Sequence, residues 1–330
     1  MRTSRFPELR SRSIPDSREL VETAAEQPSL SLQSMVAGKP LVSAIVVSFN
    51  VRNLLLDCLR AFYASSDVPV EAVVVDNASV DGSADAVAAA FPQAKVIRQA
   101  VNVGFGKGNN AGLQQAEGRF ILLLNPDVTV EPGCVGKLAD FLLVRPDAGA
   151  VGPRLQRPDH SLDLAARRGF PTPSAAFYRL TGLSRLFPNS PRFNRYNMGH
   201  QSESELHEVD AGTAACLMVR RAAIDRVGFF DPDYFMYGED LDLCYRLKRG
   251  GWKVFYLPDA RALHVKGAST QQSTGRMLWE FHRAMWTFHH KHYAADMPAF
   301  ANGLVWASIW ARWATLLAKT QITHDRRVSP

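Results

Sequence analysis

The first 39 residues are polar and aperiodic, rich in Ser, Arg, Glu and Pro, and the chain then turns abruptly apolar. That contrast predicts a flexible tail over residues 1–39 and an ordered domain from about residue 40. Leu41 to Ser48 is a continuous apolar run bounded by Asn50, as expected of a strand buried on both faces. Leu54, Leu55, Cys58, Leu59 and Phe62 then recur at helical spacing. A second strand is predicted over Ala72 to Val75, a short helix over Ala84 to Phe91 stopped by Pro92, and a third strand over Lys95 to Arg98. Asn109 to Ala116 reads as helix and Phe120 to Leu124 as a fourth buried strand. Arg154 to Glu205, dense in Pro, Arg and Ser, is expected to wrap the surface. Val209 to Val219 is predicted as a strand, Asp240 to Lys248 as a helix turning Leu241, Cys244 and Leu247 inward, and Lys253 to Leu257 as another strand. Trp279 to His292 completes the pattern as an aromatic-rich helix.

Apolar strands alternating with helices imply an α/β fold with a mostly parallel central sheet flanked by helices. In such sheets ligands sit beyond the carboxyl ends of the strands. The polar residues there are Asn50, Asp76, Asn77, Asn125 and Asp127, which makes them site candidates by placement alone.

Composition narrows the class. Hydrophobic residues at 46% and charged residues at 21% are ordinary for a folded domain of this length, 330 residues. A net charge of +6 favours acidic partners such as nucleotide diphosphates or anionic lipid. It is too mild for nucleic acid, and zinc-finger spacing and basic-aromatic RNA motifs are absent. Cys58, Cys134, Cys216 and Cys244 lie far apart with no C-x-x-C pair, so reduced thiols are expected. The basic N-terminus has no apolar stretch of the secretory kind after it.

Five constellations carry candidate chemistry. Asp76-Asn77-Ala78-Ser79 follows an apolar strand; its carboxylate can accept a hydrogen bond from N3–H of uracil or thymine, or simply cap a turn. Asn102-Val103-Gly104-Phe105-Gly106-Lys107-Gly108 is either a phosphate-facing loop opening a helix or a plain turn. It lacks the Gly-Lys-Ser/Thr ending of a nucleoside triphosphatase loop. Asn125-Pro126-Asp127 puts an acid beside a proline-fixed turn, suited to Mg2+ or Mn2+ on a diphosphate or to a turn alone. Glu239 and Asp240 open a helix after the aromatic segment Tyr234 to Tyr237, as a general base beside a sugar wall or as acids complementing the helix dipole. Asp242 is expected to pair with Arg246, and Tyr234, Tyr237 and Trp252 are candidate sugar or acceptor contacts, with core packing the equal alternative for Trp252. His264 is structural unless the fold brings it to Asp127, where it becomes a metal ligand.

The order of the pieces adds information. Ser48-Phe49-Asn50, Asp76-Asn77-Ala78-Ser79, Asn102-Val103-Gly104-Phe105, Asn125-Pro126-Asp127, Gly238-Glu239-Asp240-Leu241-Asp242 and His264 resemble, in sequence, the motifs of family 2 glycosyltransferases over residues 42 to 292. The branch most similar is the bacterial rhamnosyltransferases, including those acting on polyprenyl-diphosphate N-acetylglucosamine. The resemblance implies a GT-A fold, a nucleotide-diphosphate sugar donor, Mg2+ or Mn2+, and inverting displacement at the anomeric carbon. It implies donor binding by Ser48, Asn50, Asp76, Asn77, Asn102, Gly104, Asn125 and Asp127, metal ligation by Asp127 and His264, and a base at Asp240 with Glu239 beside it. Asn125 stands where the family's D-x-D element has its first acid, so fewer protein charges face the metal. Rhamnose from dTDP-rhamnose is the expected transfer, to a polyprenyl-diphosphate-linked or other cell-envelope glycan. UDP-galactofuranose and UDP-N-acetylglucosamine are alternative donors. Two rivals are a non-catalytic nucleotide-sugar-binding protein and a nucleotidyltransferase. The second is disfavoured because Ser48-Phe49-Asn50-Val51-Arg52 follows the first strand where that class has a Gly- and Lys/Arg-rich loop.

On this reading residues 40–270 form the catalytic domain and 271–330 a helical extension. Between Phe300 and Ala318, Trp306, Trp310 and Trp313 lie at helical spacing among Leu304, Val305, Ile309, Leu316 and Leu317, with Arg312 and Lys319 alongside. That pattern suits a helix lying at a membrane interface, and with it a cytoplasmic protein held peripherally on the inner face of the membrane. The alternative is a helix packed on the catalytic domain or on a dimer partner.

Overall fold

The computed structural model describes residues 38–265 and 274–323. The tail expected over residues 1–39 falls almost wholly outside them.

The first half follows the apolar pattern. Strand β1 (Val42–Ser48) is buried along its whole length and forms the heart of the sheet. Helix α1 (Arg52–Ser65) buries Leu55, Cys58, Leu59 and Phe62, the stripe read from the sequence. Next come β2 (Val70–Asp76), α2 (Ser83–Ala90), β3 (Lys95–Arg98), α3 (Phe105–Leu113) and β4 (Phe120–Leu124). Helix α3 starts four residues earlier than expected, so its glycines belong to the helix rather than to a loop. The reason is packing. A Cβ at Gly108 would lie 2.9 Å from Val47 Cγ1, and one at Gly112 2.5 Å from Ile45 Cγ2, so only glycine lets this helix approach β1 so closely.

The chain continues through β5 (Val128–Val130), α4 (Cys134–Val144) and β6 (Ala148–Gln156). Short helices α5 (Pro173–Leu180) and α6 (Leu183–Leu186) lie in the segment expected to wrap the surface. After them come β7 (His207–Val209), β8 (Cys216–Arg220), α7 (Arg221–Val227), α8 (Glu239–Arg249) and β9 (Lys253–His264). The single strand expected over Val209 to Val219 is thus two strands around the loop 210–215. Strand β9 runs seven residues beyond the predicted end at Leu257. The β6–β9 ladder shifts register after Pro153, the partner jumping from Leu257 to Arg261, so Pro258 sits in the irregularity and gives up no ladder bond.

One nine-stranded sheet results, ordered β3-β2-β1-β4-β8-β6-β9-β5 with β7 also on β9. Strands β3, β2, β1 and β4 are mutually parallel. Strand β8 is antiparallel to both β4 and β6, which returns β6 and its parallel partner β9 to the direction of β1. The sheet is therefore mostly parallel, and the carboxyl ends of β1, β2, β4 and β9 share one edge.

Two helices close the described chain. Helix α9 (Thr274–His292) docks on the body through His292 Nε2 to Asp242 Oδ1 (2.7 Å) and Lys291 Nζ to Asp233 Oδ2 (2.6 Å). Helix α10 (Ala299–Thr323) folds back along it, with Trp279 against Trp310 at 4.5 Å between ring centroids and His289 bonded to Asn302 at 2.8 Å. No helix among the described residues is long and apolar enough to cross a membrane. All four cysteines are free and buried, as expected.

Candidate active site

Register brings the first group of predicted residues together. Ser48 and Asp76 are Cα partners at the ends of β1 and β2, and Asn77 N donates to Ser48 O at 2.8 Å. The loops after the two strands are stitched crosswise. Asn50 N donates to Ser79 Oγ (2.9 Å), and Val80 N donates to Asn50 Oδ1 (2.8 Å). Asn50 and Ala78 both adopt positive φ, 53° and 64°, a strained turn held because each loop bonds the other. Asp76 keeps one oxygen busy, Oδ2 accepting from Ser79 N at 3.2 Å.

The glycine loop lies against this pair. Asn77 Nδ2 donates to Gly104 O (3.1 Å), and Asn102 Oδ1 accepts from Gly104 N (3.0 Å). Gly104 has φ +88°, and a Cβ there would strike the carbonyl of Phe235. Phe105 N donates to that same carbonyl at 2.8 Å. The amides of Gly104 and Phe105 are thus spent on the protein, tying the glycine loop to the aromatic segment before α8.

Asp127 and His264 meet, although they are distant in sequence. Val128 of β5 pairs with His264 of β9, and Val265 N donates to Asp127 O at 2.9 Å. His264 Nε2 faces Asp127 Oδ1 at 3.4 Å, an electrostatic contact too long for a strong hydrogen bond. Its other nitrogen, Nδ1, lies 3.0 Å from Asp163 Oδ2, a carboxylate 1% exposed. Burial draws the imidazole down, but the carboxylates of Asp127 and Asp163 facing its two nitrogens outweigh it and push His264 up to about 9. A carboxylate behind an imidazole is the arrangement that orients a metal-binding histidine. Two ligands of one octahedral cation with bonds of about 2.1 Å stand about 3 Å apart, so the Asp127–His264 spacing fits a shared ion. Among the described residues no three His, Cys, Asp or Glu side chains form a ligand set.

Glu239 and Asp240 open α8 behind Gly238, which has φ +79°. Asp240 Oδ2 accepts from Arg168 Nη2 (2.6 Å) and Ala214 N (3.3 Å), and Oδ1 from Leu241 N (2.8 Å). Arg168 is fixed by a two-bond backbone bridge to Ala211, and its Nη2 also reaches Gly212 O at 3.1 Å. Burial disfavours its charge, and the Asp240 carboxylate more than restores it. Glu239 is the opposite case: burial first, then the charge of Asp240, raises it well above an ordinary carboxylate. The two neighbours are thereby driven apart in character, one ion-paired, the other favoured as the neutral acid.

Six buried oxygens of these residues have no hydrogen-bond partner: Ser48 Oγ, Asp76 Oδ1, Asn77 Oδ1, Asn125 Oδ1, Asp127 Oδ1 and Glu239 Oε2. Buried polar atoms are almost always paired, and an unpaired one costs about 1–3 kcal/mol. All but that of Glu239 lie just beyond or at the ends of β1, β2 and β4, along one sheet edge, as expected of a polar ligand site.

The structure draws two of the three aromatic candidates, Tyr234 and Trp252, away from a sugar wall. Tyr234 is 1% exposed, its ring against Gly238, so it supports the loop instead of walling a sugar. Trp252 precedes β9, at the opposite end of that strand from His264, and packs on Gly149. Tyr237 lies edge-on to Phe281 of α9 at 5.6 Å. Asp242 does pair with Arg246 (2.8 Å), as its spacing predicts. Arg168 and Asp163 were missed, because both lie in the segment read as surface and pair with residues remote in sequence.

Comparisons with known proteins agree with this geometry. The family described as Glycosyltransferase like family 2 matches residues 39–282. The N-acetylglucosaminyl-diphospho-decaprenol L-rhamnosyltransferase of Mycobacterium tuberculosis is 32% identical over 241 residues, 70% of this chain and 78% of that protein. Rhamnosyltransferase WbbL of Escherichia coli is 27% identical over 49% of this chain and 60% of its own. Among solved structures, the mannosyltransferase PcManGT from Pyrobaculum calidifontis, in complex with GDP-Man and Mn2+, superposes with a TM-score of 0.52 at 17% identity, covering 86% of this chain and 76% of that one. GalNAc-T7 with UDP, GalNAc and Mn2+ gives 0.52 at 14% identity, over 88% of this chain and 59% of that one, again a likeness of fold. The chain has the GT-A fold and belongs to the family 2 glycosyltransferases, in company with its bacterial rhamnosyltransferases.

Proposed function

We propose that the protein transfers L-rhamnose from dTDP-rhamnose, with inversion, to a polyprenyl-diphosphate-linked N-acetylglucosamine. The observation that carries the donor half is the row of unpaired buried oxygens along the sheet edge, ending at the facing pair Asp127 and His264. The acceptor and the sugar rest on the mycobacterial relative, whose name specifies both.

In this reading Asp76 Oδ1 receives N3–H of the pyrimidine, and Ser48, Asn50, Asn77, Asn102 and Gly104 shape the nucleoside pocket around it. Asn125 lies by the ribose or diphosphate, while Asp127 and His264 hold Mg2+ or Mn2+. The cation supplies neutralisation of the charge that grows on the departing diphosphate. Asp163 keeps His264 oriented from behind. Asp240 takes the proton of the acceptor hydroxyl on the face of the sugar opposite the leaving group, and attack from that face inverts the anomeric centre. A carboxylate paired with Arg168 suffices for this task, since the attacking oxygen becomes strongly acidic only as its bond to carbon forms. Glu239, as the neutral acid, donates a hydrogen bond to the sugar.

A binding protein without transfer activity is disfavoured by the intact Glu239–Asp240 pair and its Arg168 support. The test is turnover with dTDP-rhamnose, UDP-galactofuranose and UDP-N-acetylglucosamine on polyprenyl-diphosphate N-acetylglucosamine, the linkage read by NMR. A β-linked donor giving an α-linked product, or the converse, establishes inversion. Retention of configuration, or turnover only with another donor, overturns the proposal.

A further inference from the structure

Helix α10 is mostly apolar, with Ser308, Thr315 and Lys319 as its exposed polar positions. Its inner side carries Ile309, Trp310 and Trp313 towards Trp279 of α9. Its outer side exposes Phe300 (74%) and Leu304 (65%), continued by the exposed alanines 307, 311, 314 and 318 at three- and four-residue spacing. Arg312, which would otherwise break that surface, turns inward to His282 Nε2 (3.0 Å) and over the ring of Phe281. A helix at a water boundary normally presents mostly polar side chains outward, and large apolar ones exposed close together mark a contact surface.

A second exposed apolar group lies on the α5–α6 segment, where Phe177 is 58% exposed, Leu186 70% and Phe187 44%. Its surroundings are one-signed. Residues 164–202 contain six arginines and no acid, and residues 297–323 contain Arg312 and Lys319 and no acid. Arg179, Arg185, Arg192 and Arg195 are exposed. The positive charge of Arg179 acts with burial to disfavour that of Arg312.

We propose that α10 and the α5–α6 segment together form a face that docks in the plane of an anionic lipid surface. Large apolar side chains beside cations, with Trp306 half-exposed at the edge, are what an interfacial helix presents to headgroups and acyl boundary. Charge argues against a second copy of the chain as the cover. A two-fold contact through this face would bring two arginine-rich surfaces together. The face also communicates with the catalytic cleft. Helix α9, which carries Trp279, places Arg276 over Phe235 (4.5 Å) and Phe281 on Tyr237, in the loop that leads into Glu239 and Asp240. A docked enzyme would thus hold its acceptor side towards the bilayer, although docking itself is independent of which sugar is transferred.

The experiment is co-sedimentation of the full chain with vesicles of phosphatidylcholine alone and with about one third phosphatidylglycerol, at low and high salt. The expected result is binding to the anionic vesicles only, weakened by salt. Loss of about tenfold or more in partitioning is expected for Phe300→Ser with Leu304→Ser, and separately for Arg179→Glu with Arg185→Glu. All four positions are exposed, and unchanged melting and unchanged turnover of a water-soluble acceptor verify that fold and active site are intact. Equal sedimentation of both variants and the parent overturns the proposal. So does absence of vesicle binding, whether the parent runs as a monomer or as a dimer that the apolar variant dissociates.

Discussion

Arg168 offers the sharpest test of how the base is held. Replacing it with methionine keeps most of the stem and removes the guanidinium that lies 2.6 Å from Asp240, where the two side chains are 14% and 12% exposed. With an effective dielectric of about 20, a contact of that length is worth about 6 kcal/mol of direct attraction. Part survives in the mutant, because Ala214 N and Leu241 N still donate to the carboxylate at the helix N-terminus. Breaking a buried pair costs about 3–5 kcal/mol when one charge is left alone; with those amides in place, about 3 kcal/mol is expected. Chemical denaturation of Arg168→Met, Asp240→Asn and the double variant measures it as a coupling energy. Because a displaced carboxylate meets the acceptor hydroxyl badly, kcat should fall about 100-fold or more, while donor affinity, governed by the sheet edge, stays within about twofold. Additive stability losses, or an Arg168→Met enzyme with the parent's kcat, would refute the reasoning.

Other outcomes follow from the same geometry. EDTA is expected to stop transfer and Mn2+ or Mg2+ to restore it, and Asp127→Ala should weaken both Mn2+ and nucleotide-sugar binding in calorimetry; normal donor affinity in that variant contradicts the assigned ligand. Glu239 has a folded-state pKa raised above its ordinary 4.5, so its contribution to stability is intact at lower pH and lost as pH climbs through the raised value. Glu239→Gln, which cannot ionise, should therefore raise the melting temperature relative to the parent near pH 8 and much less near pH 5. An equal difference at both pH values argues against a buried, protonation-prone Glu239.

How much of this was legible beforehand depends on the range over which each feature is encoded. Strands β1, β2 and β4 are apolar runs ending in polar residues, so Ser48, Asp76 and Asn125 could be placed at a sheet edge from local pattern alone. The Asp242–Arg246 pair needed only helical spacing. Strand β6 and helix α4 were not predicted, and the end set for β9 at Leu257 falls short because a bulge stabilised by a remote strand leaves no local trace. The same limit hid the support of the site. Asp163 and Arg168 act on His264 and Asp240 through register with β9 and the loop 210–215, and an Arg-Arg dipeptide in a Pro- and Ser-rich stretch looks like solvated surface. The glycines of α3 were visible, but their spacing reads equally as a phosphate loop. Only the positions of Ile45 and Val47 decide that Gly108 and Gly112 serve close packing.

The central claim is that Asp240 acts on the acceptor while the sheet edge from Ser48 to Asp127 binds the donor. Asp240→Asn tests it most directly, by single-turnover transfer and by titration with dTDP-rhamnose on the same preparation. The account predicts transfer reduced at least about 1,000-fold with donor affinity within about threefold of the parent. Transfer near the parent's rate, or loss of donor binding in step with activity, would contradict it.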